Sequence, residues 1–226
     1  EIADRDWSSD VCSSDLVNFS YAFNTVHAGV VDYRPGVTGI TINPDTKSVT
    51  YLDQLGGSQN LTSNLVSPIP PHRARGSATG GWLASAGLNN STDGKWCVVD
   101  VLSYESTSKP NIHIIGDASS CGLPKAGHVA NQEAKICADA IVRLLGNQQV
   151  DSSPVANSAC FSPITASTAS WLTAVYQYDS NLRKMIPAAN GGVTSGATAT
   201  EAGAISNANY RQMNTWFNTL MSDSYA

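Results

Sequence analysis

The sequence predicts a mixed α+β fold, and three observations carry that expectation. Short β-type segments separated by turn residues follow one another from His27. An apolar segment closing at Gly116-Asp117 leads through a loop into a long amphipathic helix. Beyond Asp151 the composition turns to Ser, Ala and Thr, with two β-rich stretches and a closing helix.

The opening, EIADRDWSSDVCSSDL, repeats Ser-Ser-Asp around Cys12 and lacks any amphipathic period. It resembles translated adapter sequence, so residues 1–16 are set aside, and Trp7 and Cys12 with them. Residues 17–150 and 151–226 are read as two further divisions. From His27, HAGVVDY, TGITI and SVTYL read as strands, with Arg34-Pro35-Gly36 and Asn43-Pro44-Asp45 as turns. Pro70-Pro71 has no backbone N–H to give a ladder, so a loop follows it. Ser77 to Leu88 reads as a weak helix around Trp82 and Leu83, broken into by Gly80-Gly81. Trp96-Cys97-Val98-Val99-Asp100 reads as a buried strand, and Asn111 to Ile115 as another that ends at Gly116-Asp117.

In the helix that follows, Val129, Ile136, Cys137, Ala140, Ile141, Leu144 and Leu145 recur at three- and four-residue spacing. Glu133 is the one polar residue on that stripe, and Gly146-Asn147 stops the helix. ACFSPIT and SWLTAVYQY then read as β-structure, and Asn190-Gly191-Gly192 opens a small-residue linker. A helix from about Ser206 places Tyr210, Met213, Trp216, Phe217, Leu220 and Met221 on one broad face.

Composition narrows the function classes. Charged residues make up 14% and the net charge is -5, with a pI near 5.2, which offers neither nucleic acid nor an anionic membrane an electrostatic match. No run reaches the roughly 20 apolar residues that cross a bilayer, so no membrane insertion is expected. The five cysteines are scattered without the paired spacing of a zinc site, and the four histidines show no ligand spacing, so no metal is assigned.

Chemistry concentrates between Ile114 and the start of the long helix. A carboxylate at a strand end, Asp117 in Gly116-Asp117-Ala118, can accept hydrogen bonds from ribityl hydroxyls. The helix start after Leu123-Pro124-Lys125 offers unpaired N–H groups and a positive dipole end. Those features suit a flavin, whose pyrimidine edge turns negative on reduction, and Lys125 would add charge there. The same residues also read as a turn with a helix cap, and Gly-Asp-Ala alone does not decide between the two.

The wider sequence resembles the flavocytochrome c sulfide dehydrogenase flavoproteins, within the pyridine nucleotide-disulfide oxidoreductases. IHIIGDASSCGLPKAGHVANQEAK is similar to that family's I-H-V-I-G-D-A…M-P-K-S-G-Y-S-A-N-S-Q-A-K. GVVDYRPGVTGI, SPIPPHRA and WCVVDVLSYES resemble its upstream motifs in the same order. Leu123, His128 and Val98 depart from its Met, aromatic and Pro. The resemblance implies the carboxy-terminal part of a flavoprotein with two dinucleotide-binding domains, plus a small β-rich flavin-covering domain ending in a helix.

The resemblance also implies residues and partners. Gly116, Asp117, Ala118, Leu123, Pro124 and Lys125 are implied to hold FAD. Asn157 to Ser162 resembles a segment whose cysteine is half of a redox-active disulfide, which makes Cys160 the implied catalytic residue; a buried inert thiol is the other reading. Trp216 is implied to lie near the flavin, whereas periodicity alone reads it as a core aromatic. Cys97 and Cys137 read as structural, and Cys121, inside the loop, stays open. The implied activity is oxidation of sulfide with electrons passed to a c-type cytochrome subunit, and the implied location is the periplasm. A quinone- or NAD-linked flavoenzyme and a stand-alone interaction module are the alternatives. Residues 206–226 carry Arg211 as their one base, which disfavours a membrane-facing quinone enzyme. No Gly-x-Gly-x-x-Gly follows a strand, so an upstream half carrying that fingerprint is expected, and negligible FAD affinity for this stretch alone.

Overall fold

The computed structural model describes residues 16–69, 72–74, 81–188, 200–201 and 204–225. The opening segment, Pro70-Pro71, the first part of the weak helix and the Asn190-Gly191-Gly192 linker lie outside them. The described residues fall into two units, one over 19–72 and one over 73–225 that also takes in 16–18.

A helix α1 (Leu16–Tyr21) runs into a π-helical turn over Ala22–Val26. The first unit is then a three-stranded antiparallel meander of β1 (Thr38–Asn43), β2 (Ser48–Leu52) and β3 (Ser58–Thr62). Short acidic and amide side chains make its turns. Asn43 Oδ1 accepts from the amides of Asp45 and Thr46, and Asp53 Oδ1 from those of Leu55 and Gly57. TGITI and SVTYL form strands as expected, whereas HAGVVDY does not. Val30 is 84% exposed, so an apolar run without a partner strand gains nothing by extending.

The second unit joins two sheets through one helix. A short helix α2 (Trp82–Ser85) precedes β4 (Cys97–Asp100), which is flanked by β5 (Glu105–Ser106) antiparallel and β6 (Ser119–Ser120) parallel. Cys97 and Val99 are buried, as the strand reading requires. The expected strand over Asn111 to Ile115 is reduced to a single bridge between His113 and Glu105. Asn111 sits at φ 62°, which breaks extended geometry, and Ile112 and Ile115 remain exposed. The parallel partner of β4 comes after Gly116-Asp117-Ala118, not before it.

The long helix α3 (Gly127–Leu145) stops where predicted, at Gly146 and a left-handed Asn147. Val129, Glu133, Cys137 and Ala140 are its buried residues, while Leu144 and Leu145 are exposed. The second sheet centres on β8 (Ala169–Asp179). Along one edge runs β7 (Val155–Pro163), and along the other β9 (Lys184–Pro187) and β10 (Thr200–Glu201) share its length. Leu172, Ala174 and Tyr176 alternate inward along β8, the period-two signature of a half-buried strand. They join Cys97, Val99, Tyr104, Leu123, Val129 and Met185 in one core. The closing helix α4 (Asn207–Tyr225) packs on β8 and β7, with its expected apolar face only half-buried and Phe217 50% exposed.

Candidate functional site

Gly116–Ala118 is one 3-10 turn, with Gly116 at φ 69°. That left-handed conformation costs a glycine little and a branched residue much. The turn presents Asp117 to solvent, and its carboxylate makes no hydrogen bond to any described residue. A narrow cleft beside it is lined by Gly116, Asp117, Leu123, Pro124 and Lys125, facing Val129 and Glu133 of α3. Five of the predicted cofactor residues therefore share one cleft, and Ala118 sits next to it in the turn. Cys160 and Trp216 do not line it.

Lys125 is tied to the backbone of the loop. Its Nζ donates to the carbonyls of Asp117 (2.8 Å) and Ser119 (2.7 Å), and lies 4.0 Å from the centre of the Trp96 ring. Burial pulls its ammonium below the usual lysine range. Lys125 thus clips the loop's backbone together.

Beneath the turn lies a residue that the pattern marked only as an exception. Glu133 is 2% exposed, on the helix stripe that is otherwise apolar. Its carboxyl accepts the Gly116 amide and the Cys121 thiol, the latter at 3.1 Å. Burial pushes the Glu133 carboxyl up, and those two donors with nearby Lys125 pull the other way. Cys121, also buried, is pushed up to about 12 by desolvation and by Glu133, so at neutral pH it is a thiol that donates. Burial likewise raises Cys97 and Cys137. Among the four described cysteines, Cys160 alone is partly exposed.

The register of β7 on β8 decides which way Cys160 faces. Cys160 pairs with inward-facing Leu172 and packs against the core, whereas Phe161 pairs with Trp171. Cross-strand partners share a face, so Cys160 and Phe161 point to opposite sides. Trp216 of α4 packs against Phe161 at 5.4 Å and meets His128 edge-on at 5.7 Å. The indole N–H groups of Trp171 and Trp216 are buried without a described acceptor.

His128 couples the two halves of the unit. From the first turn of α3 its Nδ1 accepts the Ala159 amide at 2.9 Å, next to Cys160 on the outer edge of β7. The proton of the neutral ring therefore sits on Nε2, and a second proton at Nδ1 breaks the bond. Burial lowers the affinity of His128 for that proton, Lys135 adds to the effect, and Asp223 opposes it. The unfolded chain then binds the proton more readily than the folded one. Its stabilisation is present above the ordinary value of 6.5 and is lost as pH falls through the lower folded value. Melting temperatures across that range should record a loss of stability that a His128→Phe variant does not show.

The site fits the edge of a flavin. A carboxylate with no hydrogen-bond partner among the described residues and α3 amides that no side chain caps are groups that ribityl hydroxyls and ring carbonyls can satisfy. The floor of the cleft has no room for a water molecule.

The family model described as flavocytochrome c sulphide dehydrogenase, flavin-binding, matches residues 152–225. Those residues are similar to a flavin-binding domain of that type. The domain begins beside the composition change at Asp151 and takes in β7, β8, β9 and α4, with Cys160 and Trp216 inside it. FAD is the cofactor that the match points to, and the matched family is one of FAD-dependent oxidoreductases. No helix among the described residues is long and apolar enough to cross a membrane.

Proposed function

We propose that the protein works in an FAD-dependent sulfide dehydrogenase, oxidising sulfide at Cys160 and delivering electrons to a c-type cytochrome in the periplasm. The observation that carries this reading is the position of Cys160. It is the one partly exposed described cysteine, and it lies within the matched flavin-binding domain.

The three buried thiols are held protonated by desolvation, which removes their nucleophilicity. Cys160 is left to meet sulfide. As a thiolate it can take the sulfur of hydrosulfide in one new S–S bond, which releases one proton and two electrons. When bound, FAD supplies the acceptor for that pair and can pass electrons singly to a haem. Asp117 and the first amides of α3 would hold the cofactor, and Trp216 with Phe161 would wall the far side of β7 from water.

The test is direct. The protein expressed from its full reading frame is treated anaerobically with sulfide, and flavin absorbance and added cytochrome c are followed. Bleaching of the flavin with stoichiometric cytochrome reduction is expected. A flavin that stays oxidised under excess sulfide removes the proposal.

A further inference from the structure

Glu133 is a buried carboxyl on a helix face where an apolar residue would pack at lower cost. Its contacts supply a reason for its being there. One carboxyl on a rigid helix gathers donors from both ends of the flavin loop, the Gly116 amide at the start and the Cys121 thiol at the end. The Ser119 hydroxyl, 3.5 Å from the same carboxyl, donates instead to the Gly116 carbonyl at 2.9 Å and closes the turn on itself. Lys125 holds the other side through the carbonyls of Asp117 and Ser119. Asp117 is therefore gripped immediately before its own amide and at its own carbonyl, while its side chain is left outward.

We infer that Glu133 is the positioning residue for Asp117, fixing the turn so that the Asp117 carboxylate is aimed before the cofactor arrives. The inference rests on the reading that Asp117 holds FAD. Glu133 is buried, so it acts on the loop that carries Asp117 and not on a ligand directly. Its effect on flavin affinity passes through the Gly116 peptide, because a carboxylate that has to be re-aimed on binding loses affinity to the ordering it then requires.

A graded pair of variants tests it in the flavoprotein from the full reading frame. Glu133→Gln keeps the side-chain volume and one oxygen acceptor, and Glu133→Leu keeps the volume alone. Amide hydrogen exchange is read across residues 111–126 and across β8, and FAD affinity is read by fluorescence quenching. Exchange at Gly116 should rise roughly 3-fold in Glu133→Gln and at least roughly 10-fold in Glu133→Leu, the scale of losing a charge-assisted hydrogen bond, with β8 unchanged. FAD dissociation constants should rise in the same order.

Unchanged exchange at Gly116 in Glu133→Leu overturns the inference, as does faster exchange spread equally over β8, which marks a loss of general stability. Faster exchange at Gly116 with FAD affinity unaltered also overturns it. Should Glu133→Leu not fold, Glu133→Gln carries the test alone, and an unchanged Gly116 rate there overturns it. Wild-type protein that binds no FAD removes the functional reading, and the exchange measurement then decides by itself whether Glu133 fixes the turn.

Discussion

Replacing Gly122 with alanine should cost about 3 kcal/mol and lower the melting temperature by roughly 6–12 °C, two effects adding. Gly122 has φ 89°, a backbone conformation that alanine adopts only with strain. A Cβ built there meets the Met185 carbonyl oxygen at 2.9 Å, and backbone cannot swing aside as a flexible side chain can. The neighbouring peptide is already committed, because the Met185 amide donates to the Cys121 carbonyl at 3.3 Å. Relieving the clash moves the loop that carries Gly122 away from β9 and breaks that bond. Gly94→Ala separates the two terms, since Gly94 has φ 67° with open space around it and should lose only about 1 kcal/mol. Thermal denaturation of both variants checks the argument, and equal losses would show that contact with β9 contributes nothing.

Cys160→Ser should leave the fold standing and lower sulfide-dependent cytochrome reduction by roughly 100-fold or more, the scale of removing a nucleophile. Serine is close to cysteine in volume, and Cys160 sits at the margin of the core, half-buried beside Leu172. A change in stability beyond about 1 kcal/mol is therefore not expected. The hydroxyl cannot store sulfide sulfur as a persulfide, so turnover is lost while FAD binding is retained. Cys137→Ala is the contrast: that thiol lies on the buried face of α3, burial raises its pKa, and its removal should change stability without touching the reaction. Steady-state rates in the two variants decide the matter. A Cys160→Ser enzyme with wild-type turnover places the sulfur chemistry elsewhere.

Much of the second unit was legible from periodicity. The three- and four-residue spacing in α3 and its Gly146-Asn147 stop, and the β-rich composition of SWLTAVYQY, are local signals that the tertiary structure had no cause to override. The opposite holds for Asn111 to Ile115. Its apolar residues read as a strand, yet strands exist by pairing, and β4 spends its parallel edge on Ser119–Ser120 instead. HAGVVDY fails for the same reason.

The site divides along the same line. Residue identity determined two chemically capable groups, the Gly116-Asp117-Ala118 carboxylate and the amides at the start of a helix, while Cys160 in the later β segment was marked only by family resemblance. Only the tertiary structure decided how they are used. It turned Lys125 inward as a backbone clip, left Asp117 outward, and set Cys160 and Phe161 on opposite faces through the β7–β8 register. Glu133 shows the limit most plainly. In the sequence it is a polar gap in an apolar stripe; its burial and its grip on Gly116 arise because folding brings a loop 17 positions away against that face of the helix, and the partners of a buried carboxyl are chosen by long-range packing that local spacing does not encode.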